Sequence, residues 1–60
     1  MKKLTVEEIR QNTIYDLNKF IKSLKEYRDT YDKEDLDYEY LDEVIYAIET
    51  LENDIKQGKV

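Results

Sequence analysis

Fifteen of the sixty residues are Asp or Glu, against ten Lys or Arg and no His, so any chemistry would have to be built from carboxylates. The densest group runs from Asp32 to Glu43, where Asp35, Asp37 and Glu39 alternate and Glu43 follows. That alternation invites a calcium loop, but a loop of the EF-hand kind needs a glycine at its sixth position for the sharp turn. Counting from Asp32 the sixth residue is Asp37, and counting from Asp35 it is Tyr40. The run therefore reads as a solvated, acidic helix start. Adjacent carboxylates such as Asp42 and Glu43 could do acid–base work only in a pocket that excludes water and shifts a pKa, and two helices enclose none. With neither His nor Cys, zinc and iron–sulfur ligand sets and disulfide staples drop out. No glycine-rich loop is present to cradle a phosphate. The sequence predicts no enzyme, no metal site and no cofactor.

Charged residues make up 42% and hydrophobic residues 40% of the chain, with no proline and a single glycine, Gly58. Such a composition lacks the turn residues that hairpins of strands require, so the expected class is all-α. The net charge of −5 is unevenly spread: residues 1–28 carry seven bases and four acids, residues 29–60 three bases and eleven acids. The second half should repel nucleic acid and anionic membrane and attract a basic surface. Lys19, Lys22 and Lys25 form a basic patch, but acids intersperse it, and it reads as a solvated face. No apolar run approaches the ~20 residues that span a bilayer, nor does one follow Met1-Lys2-Lys3 as in a signal peptide. A cytoplasmic protein is expected.

Leu41, Val44, Ile48, Leu51 and Ile55 recur at alternating steps of three and four, the seam of an amphipathic helix. Leu17, Phe20, Leu24, Tyr27 and Tyr31 repeat that rhythm upstream. The first helix should start just after Thr5, where Thr5 and Glu8 stand at capping-box spacing and Leu4 and Ile9 at that of a hydrophobic staple. Asn12 and Thr13 suit caps better than helix interiors. A continuous helix is preferred there over one split into a short arm and a main helix. Asp29, Asp32, Glu34 and Asp35 repel one another where the apolar period lapses, and this marks the connection. Gly58 can take the left-handed closing conformation, with Lys56 at the negative end of the dipole. The expected architecture is one domain over residues 1–60, an antiparallel helical hairpin. Helix one covers about residues 6–30, the connection about 31–36 and helix two about 37–57.

Folding back near residue 34 sets Tyr27 level with Leu41, Leu24 with Val44 and Ile45, Phe20 with Ile48, Leu17 with Leu51, and Thr13 with Ile55. Four of these five layers are apolar on both sides. If the stripes are the a and d positions of a heptad, Ile14, Ile21, Tyr38 and Ile45 fall at e positions on one side of the seam. Two helices alone would leave that side wet. A chain this short buries only ~60% of its unfolded surface, and disulfides and metals are excluded. Self-association through Ile14, Ile21, Tyr38 and Ile45, or a partner, is therefore expected to complete a four-helix bundle.

Six tyrosines are more than a solvated hairpin requires. Tyr27 and Tyr31 belong to the seam, but Tyr15 and Tyr46 fall on outermost positions, and tyrosine is enriched at interfaces. The expected function is that of a small acidic regulator or inhibitor docking on a basic surface of a larger protein, in the limit by imitating nucleic-acid phosphates. Its binding residues would be Asp35, Asp37, Glu39, Tyr40, Asp42, Glu43, Tyr46 and Glu49. The alternative is a structural module whose apolar side serves only a dimeric four-helix bundle. In gross composition, rich in Lys, Glu, Asp, Ile and Tyr and poor in Pro and Gly, the chain resembles the short accessory and inhibitor proteins of phages infecting AT-rich bacteria. The likeness covers the whole chain but no motif carries it, so it names no family and assigns a role to no residue.

Overall fold

The computed structural model describes residues 3–60, which form two helices, α1 (Val6–Arg28) and α2 (Leu36–Lys56), folded back on each other as a hairpin. Among the described residues there is no strand, and no helix is long and apolar enough to cross a membrane.

Local chemistry sets each boundary. Thr5 is extended; its hydroxyl accepts the Glu8 amide at 3.1 Å while its own amide donates to the Glu8 carboxylate at 3.2 Å, a complete capping box. Leu4 and Ile9, the expected staple pair, are each about half exposed. Removing the hydroxyl in Thr5→Ala should lower stability by ~1 kcal/mol, read as a lower urea midpoint. An unchanged midpoint would show that the first turn frays without consequence for the rest. Further along, α1 runs unbroken through Asn12 and Thr13, because the Thr13 hydroxyl donates to the Ile9 carbonyl at 2.8 Å instead of drawing the backbone into a new cap.

The first helix ends two residues earlier than expected. Thr30 donates to the Tyr27 carbonyl through its amide at 3.1 Å and its hydroxyl at 2.7 Å, and Tyr31 donates to the Arg28 carbonyl at 3.0 Å. These bonds tighten the last turn into a reversal. Asp35 then caps α2 by accepting the Asp37 amide at 2.9 Å, so this helix begins at Leu36, one residue before the expected start. At its far end Gly58 takes φ +76°. Its amide reaches the Ile55 carbonyl at 3.1 Å and that of Lys59 reaches Asp54 at 2.9 Å, the paired bonds of a Schellman closure.

The fold-back near residue 34 is preserved: Tyr27 and Leu41 line one shallow depression, Thr13 and Ile55 another. What differs from expectation is the rotation of both helices about their axes. Among the described residues the three buried side chains are Ile21, Ile45 and Ile55, at 7%, 2% and 9% exposure. The seam on α1 runs Ile14, Leu17, Ile21, Leu24, Arg28, and that on α2 runs Tyr38, Leu41, Ile45, Ile48, Glu52, Ile55. The expected open side through Ile14, Ile21, Tyr38 and Ile45 is thus corrected, since Ile21 and Ile45 are buried within the hairpin and Ile14 and Tyr38 are half-buried. Phe20, Tyr27 and Leu51, placed in the seam by their spacing, are exposed instead at 51%, 54% and 41%.

The reason is steric and electrostatic together. Branched aliphatic side chains fill a close two-helix contact, while rings and hydroxyls keep part of their surface in water at little cost. Arg28 and Glu52 can lie along the seam by burying their stems and keeping their charges at its edge. The hairpin is one layer thick, with Cα extents of 47 × 24 × 11 Å and a radius of gyration of 14.4 Å, against about 10.4 Å for a compact 60-residue domain.

Candidate protein-binding surfaces

The rotation gives the hairpin two unlike sides. On one, ion pairs bridge the helices: Arg28 Nη1 meets Asp42 Oδ1 at 2.7 Å and Lys25 Nζ meets Glu49 Oε2 at 3.5 Å. Arg28 also reaches Asp29 Oδ1 with its Nε at 3.1 Å, and its guanidinium lies 5.2 Å from the Tyr38 ring centroid. The hydrogen bond to Asp42 raises the Arg28 pKa against the desolvation that lowers it, and the hydrogen bond to Asp29 adds to the rise. A depression on this side is lined by Asn18, Ile21, Lys22, Lys25, Glu49 and Glu52, and Glu52 Oε2 is the one buried side-chain polar atom of the described residues without a hydrogen-bond partner. The other oxygen of Glu52 accepts from Lys56 at 3.1 Å.

The opposite side is apolar and aromatic. Helical spacing puts Val6, Ile9, Phe20 and Tyr27 of α1 beside Tyr40, Val44 and Leu51 of α2. Of these only Val44 is half-buried, and the rest are exposed. Near the connection Tyr27, Tyr31, Asp37, Tyr40 and Leu41 line a common depression. The Tyr27 and Tyr31 hydroxyls are 3.0 Å apart and their rings meet edge to face at 5.6 Å. That hydrogen bond, the nearby Tyr27 phenol, partial desolvation and the carboxylates of Asp37 and Asp35 push the Tyr31 pKa up to about 12. The Tyr31 hydroxyl accordingly carries its proton at neutral pH and gives the apolar side a neutral polar spot.

The residues expected to bind a partner are therefore dispersed. Asp35 is committed to the cap of α2, Asp37 and Tyr40 border the apolar side, and Asp42 and Glu49 hold cations of α1. Only Glu39, Glu43 and Tyr46 share the outward face of α2, with no side-chain hydrogen bond or ion pair among the described residues; Tyr46 is 74% exposed. Tyr15 lies outward on α1, 62% exposed, under Lys19 at 5.2 Å. Spacing did not single out Phe20 and Leu51 as surface residues, because each also fits the seam rhythm. No group of three or more Asp, Glu, His or Cys among the described residues is arranged to hold a metal ion. Compared with known proteins, the chain matches no family model, no curated protein and no solved structure.

Proposed function

We propose that the protein is a small acidic binding module, a regulator or inhibitor of phage-accessory type that acts in the cytoplasm by docking on a basic surface of a larger protein. One observation carries this reading: Glu39, Glu43 and Tyr46 share the outer face of α2 and spend none of their side-chain polar groups within the hairpin. Glu39 and Glu43 stand one turn apart, about 6 Å along the axis, a spacing on which a basic groove can close. Carboxylates steer the encounter and make it salt-dependent, while the tyrosine supplies area and sets the off-rate. The test is affinity capture from a candidate host lysate with wild type beside Glu39→Gln/Glu43→Gln and Tyr46→Ala. Binding kinetics of the retained protein are then followed from low to high salt. The double neutralisation should slow association and flatten the salt dependence, and Tyr46→Ala should speed dissociation. Equal retention by all three baits, or wild-type binding indifferent to salt, overturns it.

A second reading is self-association into a four-helix bundle, favoured by the single-layer shape. The chain exposes 5145 Å², whereas a folded monomer of 7.3 kDa is expected to expose about 4,200 Å².

A further inference from the structure

We infer that the apolar side built by Phe20, Tyr27, Tyr40, Val44 and Leu51 is the docking face for a second copy of this chain, set by a two-fold axis parallel to the helices. The inference rests on the second reading above and adds the face and the arrangement. It places the contact on the side opposite to the Arg28–Asp42 and Lys25–Glu49 ion pairs, and not at Ile14, Ile21, Tyr38 and Ile45, which line the seam.

Three observations converge on that occupant. The excess exposure over a compact monomer, about 950 Å², is close to the ~800 Å² that each partner loses in an interface of ordinary size. A helical layer only 11 Å thick between Cα extremes has a hydrophobic side with no second layer, and stable domains are built of two. An identical layer matches its length and width. Charge then selects the orientation. Along α1 stand five bases and four acids, along α2 one base and seven acids, so α2 stacked on another α2 would repel. A two-fold parallel to the helices avoids this by seating each α1 on the partner's α2. Every helix then has antiparallel neighbours, as in an up-down-up-down bundle.

Sedimentation equilibrium at tens of micromolar should give twice the chain mass for wild type. A monomer there overturns the dimer reading and this inference with it. Phe20→Asp/Leu51→Asp should weaken the dimer about a hundredfold or more, as loss of two central anchors does, whereas Tyr15→Asp should leave it intact. A dimer that survives the double change leaves the reading standing and rejects the face. Because the double variant could lose its fold along with its partner, the arrangement is also tested on exposed positions that keep the apolar residues. Chains carrying Ser23→Cys and chains carrying Ala47→Cys are mixed and treated with a short bismaleimide. Covalent dimers should form between the two kinds and not within either. Products joining two Ser23→Cys chains, without mixed ones, reject the two-fold assigned here.

Discussion

Replacing Ile45 by alanine should remove about half or more of the hairpin's stability. Ile45 is the most buried side chain, 2% exposed at the middle of the seam, and truncating a buried isoleucine to alanine costs about 2–5 kcal/mol. A 60-residue chain has a total stability of only about 3–9 kcal/mol at ordinary per-residue values. Beside it in the seam stand two other buried side chains of the described residues, Ile21 and Ile55, and the half-buried Leu17, Leu24, Leu41 and Ile48. Urea denaturation followed by circular dichroism is the measurement, with Tyr46→Ala as the surface control, expected to fall within about 0.5 kcal/mol of wild type. If Ile45→Ala kept its helical signal and midpoint, the seam would have to lie elsewhere, and the stripe through Phe20 and Leu51 would be the first place to look.

The opposite sign is expected at Glu52. It occupies a seam position with its side chain only 12% exposed, one oxygen engaging Lys56 and the other without a partner. Leaving such a group unsatisfied costs about 1–3 kcal/mol, so Glu52→Leu should stabilise the hairpin by a similar amount. The change removes the orphan and continues the apolar run from Ile48 to Ile55. Lys56, half exposed in its pairing, returns to water without loss. Thermal and urea midpoints should both rise. A fall would mean that the depression shared with Lys22 and Lys25 supplies the oxygen with a hydrogen bond, and that the buried carboxylate is an asset of the seam.

Residues whose roles depend on near neighbours in sequence were the legible ones. Thr5 and Glu8 cap each other across three positions, Gly58 is the one residue free to take positive φ without strain, and the acid-rich reversal lies where the apolar rhythm lapses. The all-helical hairpin and its fold-back point follow from these local signals. The rotation of the helices does not, because each helix carries two overlapping stripes. Leu17 and Leu24 belong equally to a run with Phe20 and Tyr27 or to one with Ile14, Ile21 and Arg28. Choosing between them requires knowing what stands opposite, and Arg28 finds Asp42 and the Tyr38 ring only when the second run is turned inward. The dispersal of the acidic residues has the same origin. Asp42 and Glu49 look like free surface charge in sequence, yet Arg28 and Lys25 reach them only across the fold.

The start of α1 and the end of α2 lie at one pole of the hairpin, where Val6, Ile9, Ile55 and Val60 border a common depression. The reversal between Asp29 and Asp35 forms the other pole of a body 47 Å long. Any chain joined to either helix departs from the first pole, so the hairpin can be carried as a finger whose acidic, tyrosine-bearing tip projects freely. In a pair related by a two-fold parallel to the helices the starts of both α1 helices and the ends of both α2 helices would gather at that single pole. A short flexible tether could then join two copies and raise their effective concentration to the millimolar range. A two-fold perpendicular to the helices would instead separate the ends by nearly the length of the body, beyond the ~18 Å that five extended residues reach.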